Sequence, residues 1–405
     1  MLIADASMDQ EPAWLSWIRG LLMLVAVFLV FTPFESDDGS LGATYAVTLF
    51  CLVVALVLTP VSNLKGLFWP SASLLLPAAV IVHSFLLSTQ PLSPYSVLLI
   101  LSFATAIVLV EYANARPVEF LAVARVFLVI SMAALLYQFV SFQLGGEVVD
   151  LHAMLFPGTA RIEIGTEAES VIRLTGFQTE PGNYSTWIML LVLASRLIAG
   201  RFGIIESLAT CSVLMTYSAT GVLFVGIAIL WMLADSLTRG GAKHWMWLVV
   251  LGALVLAAAS TFELLDHYEE RFLGRDDASL MYRYWALQAY SYLTTSEKLL
   301  GFGFLDEICD CHFSDLGFGP NLVMRGGILV ALGVLPWLWT AWQRRSAMAV
   351  LAIVSTVYFA KTPPFSIAAW FALLLLSDVR QYDSSPSAAP EDLADQTPDG
   401  EGAAT

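Results

Sequence analysis

An arginine and a glutamate flank a glycine in the segment Arg173-Leu-Thr-Gly176-Phe-Gln-Thr-Glu180-Pro181. A guanidinium binds phosphate oxygens through paired, charge-assisted hydrogen bonds, and a carboxylate can act as a general base. Pro181 suits the first turn of a helix, where its missing N–H costs nothing, and the helix dipole favours a negative charge at Glu180. The segment is therefore either part of a phosphate-binding site or a capping acid beside a solvated arginine.

A second group of polar side chains lies between Arg271 and Leu316. Its arginines suit a lipid-linked phosphate or pyrophosphate at a membrane surface, or a positive rim that binds lipid headgroups without chemistry. The group consists of Arg271, Arg275, Arg283, Lys298, Gly301, Gly303, Cys309, Cys311, His312 and Asp315.

The sequence Cys309-Asp-Cys311-His312 places three soft ligands together. A tetrahedral zinc site needs a fourth ligand, and no second cluster such as Cys-x-x-Cys accompanies them. We therefore predict no metal and no cofactor. The two cysteines are expected to be plain thiols or a local disulfide, and His312 is either a general base or an ordinary loop histidine.

Two arginines stand inside apolar blocks, Arg125 and Arg325, and Arg325 has Asn321 one helical turn before it. An intramembrane arginine is costly and usually marks a functional site or a wet cavity. Arg325 lies near one end of its block, where it could share a cavity with the loop arginines. Arg125 lies nearer the other end and could reach the membrane surface along its own stem.

These residues must be positioned by membrane helices, because the 405-residue chain is 58% hydrophobic and only 13% charged. Soluble domains average about 45–50% apolar residues and about 25% charged residues. The apolar residues fall in runs of about 20, the length of a helix that crosses a bilayer. We predict an all-α polytopic membrane protein with about 12 transmembrane helices. The predicted spans are 14–34, 42–61, 70–88, 95–112, 118–143, 183–200, 203–217, 219–237, 244–262, 318–341, 346–360 and 365–379.

Lysine and arginine occur in alternate short connections, which predicts the orientation of the helices. The N- and C-termini are then cytoplasmic, with Lys361 as the one exception to the alternation. Both long polar segments, residues 144–182 and 263–317, fall on the periplasmic side. The basic connections contain Lys65, Arg116, Arg196, Arg201, Arg239, Lys243, Arg344 and Arg345.

The domain organisation is a single transmembrane domain, residues 1–380, followed by a tail. Residues 381–405 contain six acidic residues and no lysine or arginine, and are rich in Ser, Pro and Ala. This composition predicts a disordered cytoplasmic tail. The formal net charge of −15 excludes a nucleic-acid-binding protein of the usual basic kind.

Four segments, in a fixed order, carry a resemblance to a known family. They are Arg173 to Pro181, Leu214-Met-Thr-Tyr-Ser218-Ala-Thr-Gly221, Arg283-Tyr-Trp285 with Leu300-Gly301-Phe-Gly303-Phe, and Asp315-Leu-Gly317-Phe318 with Arg325-Gly-Gly327-Ile. Their order and spacing over residues 173–330 resemble the O-antigen polymerase (Wzy) and O-antigen ligase (WaaL) superfamily of polytopic membrane glycosyltransferases. Ala219 departs from the pattern, because many members have arginine there.

The resemblance implies a GT-C-like fold and a metal-independent transfer of saccharide from an undecaprenyl-pyrophosphate-linked donor to a sugar hydroxyl. It places this reaction on the periplasmic side of a bacterial inner membrane. Membrane lipid and a chain-length regulator protein are the further partners implied. Arg173, Arg283 and Arg325 would bind the pyrophosphate, and the catalytic base would be one of His312, Asp315 and Glu180.

Several alternatives stay open at this point. His312 could match a histidine of the ligases, whereas the Asp-x-Gly-Phe element beginning at Asp315 is similar to polymerases, and we favour a polymerase. A transporter or flippase would explain the spans with Arg125 and Arg325, but it predicts repeat symmetry and charges concentrated in mid-span, whereas the charges here concentrate in two long loops. A non-catalytic partner in polysaccharide export would tolerate changes at Arg173 and Arg283.

Overall fold

A computed structural model gives the fold, and the statements below concern the residues that it describes. These are residues 12–32, 41–60, 75–86, 93–145, 148–156, 159–160, 163–164, 171–239, 252, 288, 290–304, 317–360 and 362–377.

The described chain is mostly helical, and its longer helices coincide with the apolar blocks of the sequence, whereas two short helices lie in the long polar segments. In chain order the helices are α1 (Ala13–Phe31), α2 (Leu41–Leu58), α3 (Leu75–Leu86), α4 (Pro94–Ala115), α5 (Pro117–Gly145), α6 (Leu151–Leu155), α7 (Pro181–Ala199), α8 (Ile204–Ser212), α9 (Ala219–Arg239), α10 (Thr295–Leu300), α11 (Phe318–Leu332), α12 (Leu335–Arg344), α13 (Ala347–Phe359) and α14 (Ile367–Ser377).

A small antiparallel strand pair departs from the all-helical expectation. Strand β1 (Glu163–Ile164) pairs with β2 (Val171–Ile172) within the first long polar segment. Backbone N–H and C=O groups outside helices still need hydrogen-bond partners, and a short hairpin supplies them. The predicted span 244–262 and the tail 381–405 lie outside the described residues.

Three helices are long and apolar enough to cross a membrane: Trp14–Phe31, Pro94–Ala115 and Pro117–Gly145. The pair α11 and α12 passes the same test as one broken span, bent by 66°. The chain therefore has the helices of a membrane protein, whereas the total of about 12 spans and the GT-C-like architecture remain predictions.

The bend between α11 and α12 corrects the prediction of one continuous span over 318–341. Gly327 has a left-handed backbone (φ 65°, ψ −174°) inside α11, and Pro336 stands in the first turn of α12. Proline cannot continue the hydrogen-bond ladder of a preceding helix, and glycine adopts positive φ without a steric penalty. Hydropathy alone does not reveal such a break.

Helix α7 occupies the centre of the bundle and packs against α1, α5, α8, α9, α13 and α14. Every residue from Asn183 to Arg196 is buried, and so is every residue of α14. A helix that is buried all round belongs to the core of a large bundle. Because α7 begins directly after Glu180, the first candidate segment is attached to this central helix.

The two candidate segments lie at the same end of the bundle, which we call the loop end. The first loop, residues 173–180, meets the last residue of α1, because Gln178 Nε2 donates to the Phe31 carbonyl at 2.8 Å. The second loop, residues 299–304, meets the first residues of α4, because Ser93 Oγ donates to the Phe304 carbonyl at 2.5 Å. The start of α14 connects α1 and α4, as described below.

Basic side chains of the short connections gather at the opposite end, which we call the basic end. Arg19 lies about 18 Å from Phe31 along α1, at 1.5 Å per residue. Its guanidinium donates to both Glu119 oxygens, at 2.9 and 2.8 Å, and Arg116 reaches the same carboxylate at 3.1 Å. This arrangement agrees with the alternation of charges in the sequence. The side of the membrane that the basic end faces remains a prediction.

Arg125 of α5 forms an ion pair with Glu206 of α8. Its Nε donates to Glu206 Oε1 at 2.8 Å. The Glu206 side chain is 0% exposed, whereas that of Arg125 is 38% exposed. A fully buried carboxylate depends on its cation, so Arg125 has a structural role beyond reaching toward the membrane surface.

We expect Arg125→Ala to lower the free energy of unfolding by roughly 3 kcal/mol, because Glu206 is then buried without its cation. The double variant Arg125→Met with Glu206→Leu should recover most of the loss, since apolar groups replace both charges. Unfolding of the purified protein by SDS in mixed micelles measures both. Arg201→Ala, at an exposed arginine, is the control. A double variant no more stable than Arg125→Ala would contradict this role.

Candidate functional site

The first loop is held by one side chain from α5, Gln138, which is 0% exposed. Its Oε1 accepts hydrogen bonds from the backbone N–H groups of Thr175 at 3.1 Å and Gly176 at 2.8 Å. Its Nε2 donates to the carbonyls of Val149 at 2.9 Å and Gly176 at 3.3 Å. The amide therefore satisfies backbone groups that would otherwise be buried unpaired, and it fixes the loop between Arg173 and Glu180.

Three further contacts hold the same loop. His152 Nδ1 lies 2.9 Å from the Phe177 carbonyl, and the Phe177 ring packs edge-on against Phe28, with centroids 5.8 Å apart. Gly176 has a positive φ of +60°, and a Cβ there would lie 3.0 Å from Cδ2 of Tyr184. Glycine is required at this position, because it allows both the backbone conformation and the close approach of the ring.

Arg173 and Glu180 lie at the two ends of this loop, and both are half-buried. Glu180 is the N-cap residue of α7 in an extended conformation, but its side chain makes no capping hydrogen bond. The predicted position of Glu180 at the N-terminus of the helix is therefore confirmed, although its side chain does not cap the backbone N–H groups. The carboxylate stands at the positive end of this central helix, where the dipole favours its charge.

The Thr-Tyr-Ser-Ala-Thr-Gly segment, residues 216–221, packs against the first turns of α7. Ser185 Oγ lies 3.1 Å from Thr216 Oγ1, and a Cβ at Gly182 would lie 3.8 Å from Ser218 Oγ. Tyr217 has a left-handed backbone with φ 52°, which is strained for a residue with a side chain. Residues 216–221 thus pack against the first turns of α7, directly after the segment that ends at Pro181.

The second loop packs backbone to backbone on α11. Phe302 N donates to the Met324 carbonyl at 3.0 Å, and Gly303 N donates to the Arg325 carbonyl at 2.8 Å. At Gly327 any Cβ would lie 2.2 Å from the Leu299 carbonyl oxygen. The glycine at position 327 permits this contact. The motif segment that contains Leu300 to Phe304 therefore meets the one that contains Arg325 to Ile328.

Arg325 is 9% exposed, and its guanidinium is held from two sides. Its Nε donates to Asn321 Oδ1 at 2.8 Å, and its central carbon lies 5.8 Å from the centroid of the Tyr95 ring. Cation–π contact and a hydrogen bond together orient the planar fork. Gly303 N donates to the Arg325 carbonyl, so the Arg325 backbone lies beside the second loop. The loop arginines with which Arg325 is expected to share a cavity lie outside the described residues, so that expectation stays a prediction.

The start of α14 links the two loops. Tyr95, beside Arg325, contacts the ring of Phe365 with centroids 5.6 Å apart. Six residues later, Phe371 contacts Phe31 with centroids 6.4 Å apart, and the Phe31 carbonyl accepts the hydrogen bond from Gln178. Side chains next to both loops therefore contact one segment, residues 365–371, which leads into the buried helix α14.

A capping box begins α10, the helix that leads into the second loop. Thr294 is the N-cap residue, and Glu297 Oε2 accepts hydrogen bonds at 2.7 Å from both the backbone N–H and the hydroxyl of Thr294. The hydroxyl hydrogen bond, followed by the one from the backbone, holds the pKa of the exposed Glu297 carboxyl below its ordinary value.

We expect Thr294→Ala to return the pKa of Glu297 toward its ordinary value, because both the hydroxyl donor and the cap are lost. Because the folded pKa is lowered, the capping box stabilises α10 above the ordinary carboxyl pKa and loses this effect as the pH falls through the lowered pKa. A carbon-13 NMR titration of the Glu297 carboxyl in micelles measures this, with Glu297→Gln assigning the signal. The same pKa in the wild type and in Thr294→Ala would contradict this account.

Three predicted site residues, Arg283, His312 and Asp315, lie outside the described residues, as do Cys309 and Cys311. Within the described ranges, no group of three or more His, Cys, Asp and Glu side chains could hold a metal ion. The expectation that the protein uses no metal and no cofactor therefore stays a prediction.

Sequence reasoning missed the residues that hold the loops: Gln138, His152, His83 and Tyr95. For Gln138, His83 and Tyr95 the signal is a polar side chain inside an apolar block, which is costly in a membrane unless it has a purpose. His152 lies in the polar segment 144–182, where a histidine carries no such signal.

Comparisons of this chain with models of known protein families, with curated proteins and with solved structures found no match.

Proposed function

We propose that this chain is a polysaccharide polymerase of O-antigen, capsule or exopolysaccharide assembly. It transfers an undecaprenyl-pyrophosphate-linked saccharide to a sugar hydroxyl at the periplasmic face of a bacterial inner membrane. Pyrophosphate is a good leaving group, and arginines can stabilise the charge that develops on it. On this proposal the enzyme uses neither a nucleotide sugar nor a metal.

The observation that carries the proposal is the oriented guanidinium of Arg325 at the loop end. The Arg325 side chain is nearly buried, and its guanidinium is fixed by Asn321 and Tyr95. The Arg325 backbone carbonyl accepts a hydrogen bond from Gly303 of the second loop. A buried arginine in a membrane bundle is costly and is by default functional. A lipid-linked pyrophosphate reaches such a site from the bilayer and provides the planar fork with bidentate oxygen acceptors.

In the proposed reaction, the acceptor hydroxyl oxygen attacks the anomeric carbon of the donor sugar. The bond from that carbon to the pyrophosphate oxygen breaks, and the pyrophosphate keeps the electron pair. Arg173, Arg283 and Arg325 are assigned to bind it. The hydroxyl proton passes to a base within hydrogen-bond reach, for which Glu180, His312 and Asp315 are the candidates.

The proposed orientation places the loop end in the periplasm and the basic end in the cytoplasm, as the distribution of Lys and Arg favours. Both termini are then cytoplasmic. About 12 spans, a GT-C-like architecture and a chain-length regulator as partner belong to the same proposal. The donor enters sideways from the membrane, and the growing saccharide extends into the periplasm.

Deletion of the gene in its host tests the proposal. We expect lipid carrier bearing single repeat units to accumulate, and expression of the wild-type chain to restore long polymer. Long polymer that stays on the lipid carrier in the deletion strain would instead indicate a ligase. Repeat units confined to the cytoplasmic leaflet would indicate a transporter, and either result would contradict the polymerase.

A further inference from the structure

Two buried histidines outside the predicted site each contact one of the two loops. His152 is 0% exposed and lies 2.9 Å from the Phe177 carbonyl of the first loop through Nδ1. His83 is 1% exposed and hydrogen bonds to the Leu300 carbonyl of the second loop through Nε2. Each loop therefore contacts one buried histidine through a backbone carbonyl, and the two histidines lie on different helices.

The chemistry of these contacts fixes which nitrogen of each ring donates. A carbonyl oxygen only accepts, so the contacting nitrogen must carry the proton. In the part of the chain that the structure describes, the second ring nitrogens, His83 Nδ1 and His152 Nε2, are buried without a hydrogen-bond partner. Each ring therefore makes one hydrogen bond among the described residues, the one that it donates to the loop carbonyl.

Each ring also packs against an aromatic side chain near the carbonyl that it contacts. The centroids of His83 and Phe304 are 5.7 Å apart, and those of His152 and Phe156 are 5.1 Å apart. The rings therefore have little freedom to turn away. Each hydrogen bond holds a loop at a defined distance from the helix that carries its histidine.

We propose that His83 and His152 are positioning residues that fix the two loops of the site through one donated hydrogen bond each. His152 fixes the loop that begins at Arg173, and His83 fixes the loop that packs on Arg325. Neither touches the reacting atoms. The activity measurement below rests on the proposed polymerase function, whereas the hydrogen-exchange measurement does not.

Position-matched amides give a sharp test. The Nδ2 of asparagine is as many bonds from the backbone as Nδ1 of histidine, and the Nε2 of glutamine is as many as Nε2 of histidine. His152→Asn and His83→Gln should therefore keep the donor, whereas His152→Gln and His83→Asn should not. Phenylalanine at either position keeps the ring and removes the donor.

Hydrogen exchange of the full-length protein in nanodiscs gives the readout without activity. We expect His152→Phe to speed exchange over residues 173–180 by about tenfold or more, and to leave 299–304 unchanged. We expect His83→Phe to show the reverse. Exchange that increases equally in both loops, or in neither, would overturn the proposal.

Turnover with lipid-linked repeat units gives the second readout. The phenylalanine variants should lower kcat by about tenfold with little change in KM, because misplaced arginines bind the transition state less well. His152→Asn and His83→Gln should restore kcat, whereas His152→Gln and His83→Asn should not. Equal activity of Asn and Gln at each position would overturn the proposal. A wild-type protein without polymerase activity would refute only the proposed function, and the exchange pattern would still decide the role of the histidines.

Discussion

Arg325→Ala should lower polymer formation by about 100- to 1,000-fold, the usual effect of removing a donor that stabilises charge in a transition state. The protein should remain folded, because the substitution keeps the backbone carbonyls of Met324 and Arg325 that accept hydrogen bonds from the second loop. Arg325→Lys keeps the charge but lacks the planar fork, so we expect a smaller loss of about tenfold.

The measurement is the rate at which the purified variants lengthen lipid-linked repeat units. Arg201→Ala is the matched control, since Arg201 is an exposed arginine at the other end of the bundle. Hydrogen exchange over residues 299–304 checks that the second loop remains in place. Activity of Arg325→Ala within about threefold of the wild type would show that Arg325 does not bind the pyrophosphate in the transition state.

Gln138→Leu should also abolish most activity, although Gln138 touches no substrate in this account. The substitution leaves the backbone N–H groups of Thr175 and Gly176 buried without acceptors, at about 1–3 kcal/mol each. The first loop should then leave its position and displace Arg173 and Glu180. We expect a loss of at least about 100-fold in activity, since each 1.4 kcal/mol is a factor of ten.

The matched control is Gln143→Leu, the same substitution on the same helix at an exposed position. It should leave activity unchanged. Hydrogen exchange should increase over residues 173–180 in Gln138→Leu and remain slow in α7. Full activity in Gln138→Leu would contradict the assignment of the first loop to the site, and unfolding of the whole bundle would show that Gln138 supports more than this loop.

The helices were largely predictable from the sequence because a bilayer-crossing helix needs a long apolar run. The blocks at 95–112 and 118–143 correspond to α4 and α5. The bend between α11 and α12 was not predictable, because the hydropathy of residues 318–341 predicts one continuous span, whereas the chain breaks just before Pro336.

The candidate site was predictable at its charged residues and not at its supports. Arg173, Glu180 and Arg325 stand out because charge is rare in this chain. Gln138 meets a loop 37 residues away, and His83 meets a carbonyl 217 residues away. Only the three-dimensional packing brings such pairs together, so no spacing rule would have found them.

The motif segments illustrate the same limit. The sequence placed four segments in order along residues 173–330, but it could not say which of them meet. The structure pairs the Arg173 to Pro181 segment with residues 216–221 through Gly182 and Ser218, and it pairs residues 299–304 with the turn at Gly327. These pairings depend on glycines whose missing Cβ atoms permit close backbone contact.

The most direct test of the central claim is the length of the product made by the purified protein in liposomes that contain only undecaprenyl-pyrophosphate-linked repeat units. With EDTA present and no nucleotide sugar, the wild-type chain should produce a ladder of lengthened lipid-linked saccharides, and Arg173→Ala should not. Repeat units that stay at their starting length, or that lengthen only when a nucleotide sugar or a divalent metal is supplied, would contradict the account.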